Sequence, residues 1–164
     1  MRVYGVTGWK NTGKTHLMER LLAAIVARGI SVSTIKHAHH DTEVDHPGTD
    51  SHRHRLAGAQ EGALVSPRRG AVMVELRGAP EPPLAAVLAR LAPVDLVLIE
   101  GYKAAPHPKV EAWRAAAGRP LLAPGNPTVR AIAADAPVAA GGLPVFDLND
   151  TAGIADFVLR EVGL

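Results

Sequence analysis

Near the amino terminus the chain reads Gly8-Trp9-Lys10-Asn11-Thr12-Gly13-Lys14-Thr15, the spacing GxxxxGK[ST]. A backbone needs that spacing to wrap a phosphate. Glycine at positions 8 and 13 admits conformations that a Cβ obstructs, so successive N–H groups can point inward as an anion nest. A helix opening at the end of the stretch adds its positive dipole end. Lys14 then reaches the β- and γ-phosphates, and the Thr15 hydroxyl is a hard oxygen ligand suited to Mg²⁺. Trp9, Lys10, Asn11 and Thr12 complete the cradle, and His16 is the next residue of the helix that opens there. An apolar strand pattern precedes the motif and a helical one follows it, the context the motif requires.

A second candidate is Glu100, which ends the apolar run Val94-Asp95-Leu96-Val97-Leu98-Ile99. An acidic residue at the end of a buried strand beside such a cradle holds Mg²⁺ or its water and serves catalysis. Lys103 is close enough in sequence to pair with it. A third group is the polar stretch after the second strand, where six of the eight histidines fall between His37 and His54. His37, His39, His40 and Asp41 come first, then Asp45, Asp50, Arg53 and Arg55. Three readings compete for it. It is a Zn²⁺ or Ni²⁺ site, since His and Asp ligate such ions. It is a switch-like loop, in which Asp41 or Asp45 serves Mg²⁺ and His or Arg contacts phosphate. Or it is a solvated polar loop. The spacing matches no standard transition-metal motif, and its place after a strand beside the cradle favours the second reading.

The elements that must carry these residues follow from periodicity. Arg2 to Thr7 is a strand. Leu17, Leu21, Leu22, Ile25 and Val26 recur at helical spacing, predicting a helix over Thr15 to Arg28 with Gly29 past its end. Ile30 to Lys36 is a second strand, completing a unit the size of a βαβ crossover. A short helix is expected over Ser51 to Ala59, with strands at Ala63 to Ser66 and Ala71 to Leu76 that form an extra hairpin. Leu84, Val87, Leu88 and Leu91 carry a helix opened by Pro80 to Pro83. The run ending at Ile99 has the character of a strand buried on both faces of a parallel sheet. Further strands are expected at Lys109 to Trp113, Val129 to Ala133 and Pro144 to Leu148, with Pro120 to Pro127 as a loop. Asn149 or Asp150 caps a last helix whose inner face holds Ile154, Phe157, Val158 and Val162. This alternation predicts a single α/β domain over residues 1–164: a three-layer P-loop NTPase fold with a mostly parallel central sheet and a β insertion around 63–78. Ligands of such sheets bind beyond the carboxyl ends of the strands.

Composition narrows the class. A chain of 164 residues, 47% hydrophobic and 21% charged, has the make-up of a soluble globular domain. It contains no cysteine, which excludes disulfides and thiolate metal sites and points to the reducing cytoplasm. No signal-peptide pattern and no apolar run near the roughly 20 residues of a membrane span is present, so no membrane partner is expected. Net charge is +2 and aromatics are 4%, which argues against a nucleic-acid groove.

The combination GWKNTGKT, IKHAHHD, DHPGTDSHRHRLAGA and LVLIEGYK, with DLNDTAGIADFVL near the end, resembles the molybdopterin-guanine dinucleotide biosynthesis protein B (MobB) family. The likeness runs from the first strand to the last helix. It implies a GTP-binding accessory or adapter protein with Mg²⁺ and slow GTP hydrolysis, assisting attachment of GMP to molybdopterin. The nucleotidyl transfer itself belongs to a partner, the guanylyltransferase MobA. The resemblance also implies a homodimer. It assigns Gly13, Lys14 and Thr15 to phosphate and Mg²⁺ and Glu100 to the acidic position. His37 to Asp41 and Asp45 to Asp50 match the segment that faces nucleotide or pterin. Three features depart from fast GTPases. No Asn-Lys-x-Asp guanine motif is present; Asp135, after the strand Val129 to Ala133, is a candidate base reader and Asn126 a weaker one. The extra lysine of the deviant Walker motif falls at Trp9, one residue before Lys10. No glutamine is placed to orient water. Two other classes remain open: a small-molecule kinase, with Arg53, Arg55 and Arg130 on the acceptor and Asp41 as base, and a metal-delivery GTPase using the histidine cluster.

Overall fold

Leu96, Val97, Leu98 and Ile99 are all fully buried, as a strand covered on both faces must be. They belong to a computed structural model that describes residues 1–38 and 44–164. Along the chain the elements are β1 (Arg2–Thr7), α1 (Lys14–Val26), β2 (Val32–Lys36), α2 (Asp50–Leu56), β3 (Glu61–Val65), β4 (Gly70–Val74), α3 (Leu84–Leu88), β5 (Leu96–Glu100), β6 (Lys109–Trp113), β7 (Val129–Ala134), β8 (Val145–Asp147) and α4 (Thr151–Val162). They fall into two compact units, one of Met1–His37 and Leu91–Leu164, the other of Ala38–Arg90.

The larger unit is a six-stranded sheet in the order β2-β5-β1-β6-β7-β8, parallel at every pairing. The fold is α/β of the P-loop NTPase type. From β1 the chain runs through α1 to β2 on one side, whereas β6, β7 and β8 lie on the other. Connections therefore diverge at β1, and the crevice at its carboxyl end is where such sheets bind ligands. Both helices of this unit pack on one face. Leu17, Leu21 and Ile25 of α1 and Ile154, Phe157 and Val158 of α4 share a core with Tyr4, Val6, Leu98 and Val110. Asp150 caps α4 by accepting from Gly153 N at 3.0 Å.

Around β6 the opposite face is covered, within this unit, by the irregular stretches 101–108 and 114–128, and side chains of the strand hold them. Lys109 and Glu111 are fully buried. The Lys109 ammonium donates to Ala105 O (2.5 Å), His107 O (2.8 Å) and Thr128 Oγ1 (2.8 Å), using its three protons. Glu111 accepts from Leu122 N (2.7 Å) and Ala123 N (2.9 Å). These bonds satisfy backbone groups that a helix would have satisfied internally. Burial pushes the Lys109 ammonium down to about 8 and the Glu111 carboxyl up, the two N–H donors opposing the latter. Lys109 and Glu111 alternate with Val110 and Ala112 along the strand, and the polar side they make is buried under a loop.

The smaller unit contains the expected hairpin, with β3 and β4 antiparallel from Glu61↔Val74 to Val65↔Gly70. Ser66 closes its turn, its N–H donating to Arg69 O and its Oγ accepting from Arg69 N. The helix after Pro83 spans only Leu84–Leu88, shorter than its apolar spacing suggests. Pro93 disfavours helical conformation at Ala92, and the helix stops before it. Elsewhere the element ends move by a few residues: α1 stops at Val26 instead of Arg28, and β2 begins at Val32 instead of Ile30.

Two expectations follow. A methyl group on Gly5 would lie 2.7 Å from His107 Nε2 and 3.2 Å from Lys109 Cβ, so Gly5→Ala should destabilise the fold by about 1–3 kcal/mol in urea melts. His107 is 9% exposed, and burial, then Lys109, pushes its imidazolium down from 6.5 to about 4. Below pH 6.5 the unfolded chain binds a proton that the folded chain refuses. Stability is therefore fully present above pH 6.5 and falls as pH drops toward 4, by on the order of 3 kcal/mol. Denaturation curves across that window should steepen in this way for the native chain and flatten for His107→Leu.

Candidate functional site

Between β1 and α1 the backbone makes a tight cradle, and three left-handed or otherwise positive-φ residues shape it: Gly8 (φ 141°), Asn11 (φ 66°) and Gly13 (φ 90°). A Cβ on Gly8 would stand 2.4 Å from Ala112 O, so β6 fills the space that a side chain would need. Asn tolerates the left-handed region better than most residues. Thr12 is fully buried, and its hydroxyl donates to Trp9 O at 2.8 Å, closing the loop on itself. No side chain caps α1 at Gly13 and its first turn carries no acid. Its leading N–H groups are thus available to an anion.

Lys14 Nζ donates to Trp9 O at 2.5 Å. Burial draws its ammonium below the usual lysine range; Glu100 opposes that shift, and Lys103 and Lys36 add to it. Thr15 Oγ1 lies 3.2 Å from Glu100 Oε1 and 3.5 Å from Oε2. The parallel pairing of β1 with β5 aligns Val6 with Glu100, which brings a carboxylate to the mouth of the cradle. A hydroxyl and a carboxylate this close form a hard-oxygen donor pair of the kind Mg²⁺ takes. His37, directly after β2, donates its N–H to Glu100 O at 2.9 Å and stacks on Tyr102 with ring centroids 4.2 Å apart. A Cβ on Gly101 (φ 98°) would stand 2.9 Å from the His37 Cβ, which explains the glycine at that turn.

The other expected residues fall elsewhere. Trp9 donates Nε1–H to Pro120 O at 2.8 Å, and the Lys103 ammonium sits 4.3 Å over its ring, away from the expected pairing with Glu100. Lys10 and Asn11 are exposed. His16 is exposed on α1 with Nδ1 3.4 Å from Glu19. Asp135 is at the carboxyl end of β7, where one carboxylate oxygen accepts from Ala115 N at 2.9 Å. Asn126 spends its amide inside the covering loop, bonding Lys103 O, Thr128 N and Thr128 Oγ1. Arg130 is the second residue of β7, toward the opposite end of the sheet from the cradle, and pairs with Glu161 at 3.1 Å.

In the smaller unit, Asp45 has an 8% exposed side chain and accepts from Ser51 Oγ at 2.8 Å; Arg55 lies 4.0 Å from it and bonds Glu75 at 2.9 Å. Asp50 and Arg53 face each other at 3.8 Å on the surface of α2. So Asp45 and Arg55 are parts of an internal network and Asp50 and Arg53 are solvent-facing. His39, His40 and Asp41 lie outside the described residues. Among the described residues no three His, Asp or Glu side chains converge as a metal site.

One residue of the site was not singled out from sequence. Arg114, the residue after β6, lines a cavity of about 340 Å³ together with Asn11, Gly13, Lys14, Thr15 and His16. It follows a strand of a parallel sheet, so its carboxyl-end position was a usable signal.

Comparison with known proteins agrees with this architecture. The family profile for Molybdopterin guanine dinucleotide synthesis protein B matches residues 3–135. The molybdopterin-guanine dinucleotide biosynthesis adapter protein of Escherichia coli is 40% identical over 155 residues, covering 93% of this chain and 88% of that protein. The Haemophilus influenzae adapter protein is 38% identical over 157 residues, covering 94% and 85%. Among solved structures, a MobB homologue from Bacillus stearothermophilus superposes with a TM-score of 0.71 at 32% identity, covering 99% of each chain. Bacillus subtilis MobB superposes at 0.77 and 27% identity, covering 99% and 98%. With the cradle at the diverging point of a parallel sheet and likeness over nearly its whole length, this chain belongs to the molybdopterin guanine dinucleotide synthesis protein B family.

Proposed function

We propose that the protein is a GTP-binding adapter for the synthesis of molybdopterin guanine dinucleotide, working beside the guanylyltransferase MobA in the cytoplasm. The observation that carries this reading is the meeting of Thr15 and Glu100 at 3.2 Å where the cradle runs into α1. Backbone N–H groups, the helix end and Lys14 would bind the triphosphate. Thr15 and Glu100 would hold Mg²⁺, which supplies charge neutralisation between phosphates. The chain's one glutamine, Gln60, donates to Glu75 O within the smaller unit, which supports slow hydrolysis over rapid turnover. The adapter role and the link to guanine dinucleotide synthesis are supported by the relatives' names. Guanine as the base, MobA and molybdopterin as partners, and a homodimer extend that family reading to this chain. No helix among the described residues is long and apolar enough to cross a membrane.

Titration with GTP, GDP and ATP, each with and without Mg²⁺, tests the reading directly. GTP should bind more tightly than ATP, and Mg²⁺ should tighten it. A folded protein with no affinity for any nucleoside triphosphate would end this account. Lys14→Ala should weaken GTP binding by about tenfold or more and lower the stimulation of guanine dinucleotide formation when molybdopterin and MobA are added. Full stimulation by a variant that no longer binds GTP would refute nucleotide-dependent assistance. Glu100→Gln should leave nucleotide binding without Mg²⁺ nearly intact and reduce the Mg²⁺-dependent gain, read by calorimetry at varied Mg²⁺.

A further inference from the structure

Arg114 carries a permanent charge on the flank of the cradle, and the surrounding residues leave that charge unanswered. Its guanidinium packs against Gly13: a Cβ there would lie 2.9 Å from Nε and 3.2 Å from Nη2. The Nε is buried without a hydrogen-bond partner, and no ion pair with a carboxylate forms at this side chain among the described residues. Lys14 borders the same cavity, so two cations face one space. Burying part of a cation without a counter-charge is unfavourable unless something anionic completes it.

The chain also fixes where this arginine stands. β6 pairs with β1 in parallel, Thr7 opposite Glu111, so Arg114 emerges at the same sheet edge as the cradle. The next peptide is held by Asp135, whose Oδ1 accepts from Ala115 N at 2.9 Å. Trp113 just before it donates Nε1–H to Arg119 O at 2.8 Å. Gly13 therefore does two things: it takes the left-handed turn of the cradle, and it leaves room for a guanidinium.

Thr15 borders two cavities: the one that Arg114 lines extends from it to Asn11, Gly13 and His16, whereas the other, of about 210 Å³, extends from it to Glu100 and Lys36. Thr15 and Glu100 would hold Mg²⁺ on their side, where it would neutralise charge on the terminal phosphates. The opposite flank is left for the α end of the polyphosphate. We infer that Arg114 binds the α- and β-phosphates of the bound nucleotide, with Asp135 acting as the positioning residue that sets the turn after it. This inference rests on the nucleotide reading of the cradle. Guanidinium suits the task because its planar fork meets two phosphate oxygens at once.

The test compares the native chain with Arg114→Met, which keeps bulk without charge, and Arg114→Lys, by titrating Mg-GTP and Mg-GDP at several salt concentrations. Arg114→Met should raise Kd for both nucleotides by about ten- to a hundredfold. It should also flatten the dependence of Kd on salt, and Arg114→Lys should restore part of each. Asp135→Ala should shift both Kd values in the same direction by a smaller factor. A native chain that binds nucleotide, with Arg114→Met binding equally well, would overturn this inference and leave the proposed function standing. Loss confined to GTP would place the contact at the γ-phosphate and overturn the assignment to α and β. Loss with an unchanged salt dependence and a lowered melting temperature would make Arg114 a packing residue only. A native chain that binds no nucleotide would remove the proposed function and this inference together.

Discussion

Glu100 faces Thr15 because β5 runs parallel to β1, with Ile99 opposite Gly5 and Glu100 opposite Val6. That pairing is the constraint on which the site depends. Parallel strands place all their carboxyl ends along one edge, so the cradle after β1, Glu100 at the end of β5, Arg114 after β6 and Asp135 after β7 share that edge although they span more than a hundred residues of sequence. An antiparallel β5 would send its acid to the far side and leave Thr15 with no carboxylate. The pairing is itself secured by burial: Leu96 to Ile99 lose all contact with water, and a one-residue slip would exchange the faces on which Leu98 and Ile99 pack.

The face of the sheet away from α1 and α4 solves a different problem. A loop lying on a sheet must satisfy its own backbone groups, and Lys109 and Glu111 do this from below. Each is costly to bury alone. Lys109 is sustained by three oxygen acceptors and Glu111 by two N–H donors, so neither is left incomplete. The arrangement also touches the site: the stretch that Glu111 holds includes Leu122 and Ala123, and Pro120 nearby accepts from Trp9 of the cradle. The covering loop that β6 holds is thus hydrogen-bonded to the Gly8–Thr15 loop within one unit. His107 is the exception in this layer, a neutral imidazole pressed on Gly5 with both ring nitrogens unbonded.

Local chemistry made much of the site legible beforehand. Gly8, Gly13, Lys14 and Thr15 follow from what a phosphate requires of a backbone, and Glu100 from its place at the end of an apolar run. Strand and helix identities followed for the same reason, since periods of two and 3.6 are local properties. The hidden part was non-local. Lys109 and Glu111 have the composition of an exposed edge, and only the loop folded over them makes them internal. Asn126, weighed as a reader of the base, turned out to be spent on Lys103 and Thr128. Arg130 sits at the wrong end of its strand for an acceptor site.

By itself, then, the sequence determined that a glycine-bearing loop of GxxxxGK[ST] spacing lies between a strand and a helix, that an acid ends a doubly buried strand, and that the architecture is α/β. Those conclusions depend on neighbours within a few residues of one another. Tertiary structure alone decided which side chains meet: that Glu100 reaches Thr15, that Asp135 steadies the turn after Arg114, that Lys103 lies over Trp9, and that Arg114 stands against Gly13. The reason is strand order. Whether β6 lies beside β1 is set by competition among distant pairings, and no periodicity in one strand records which partner it will take.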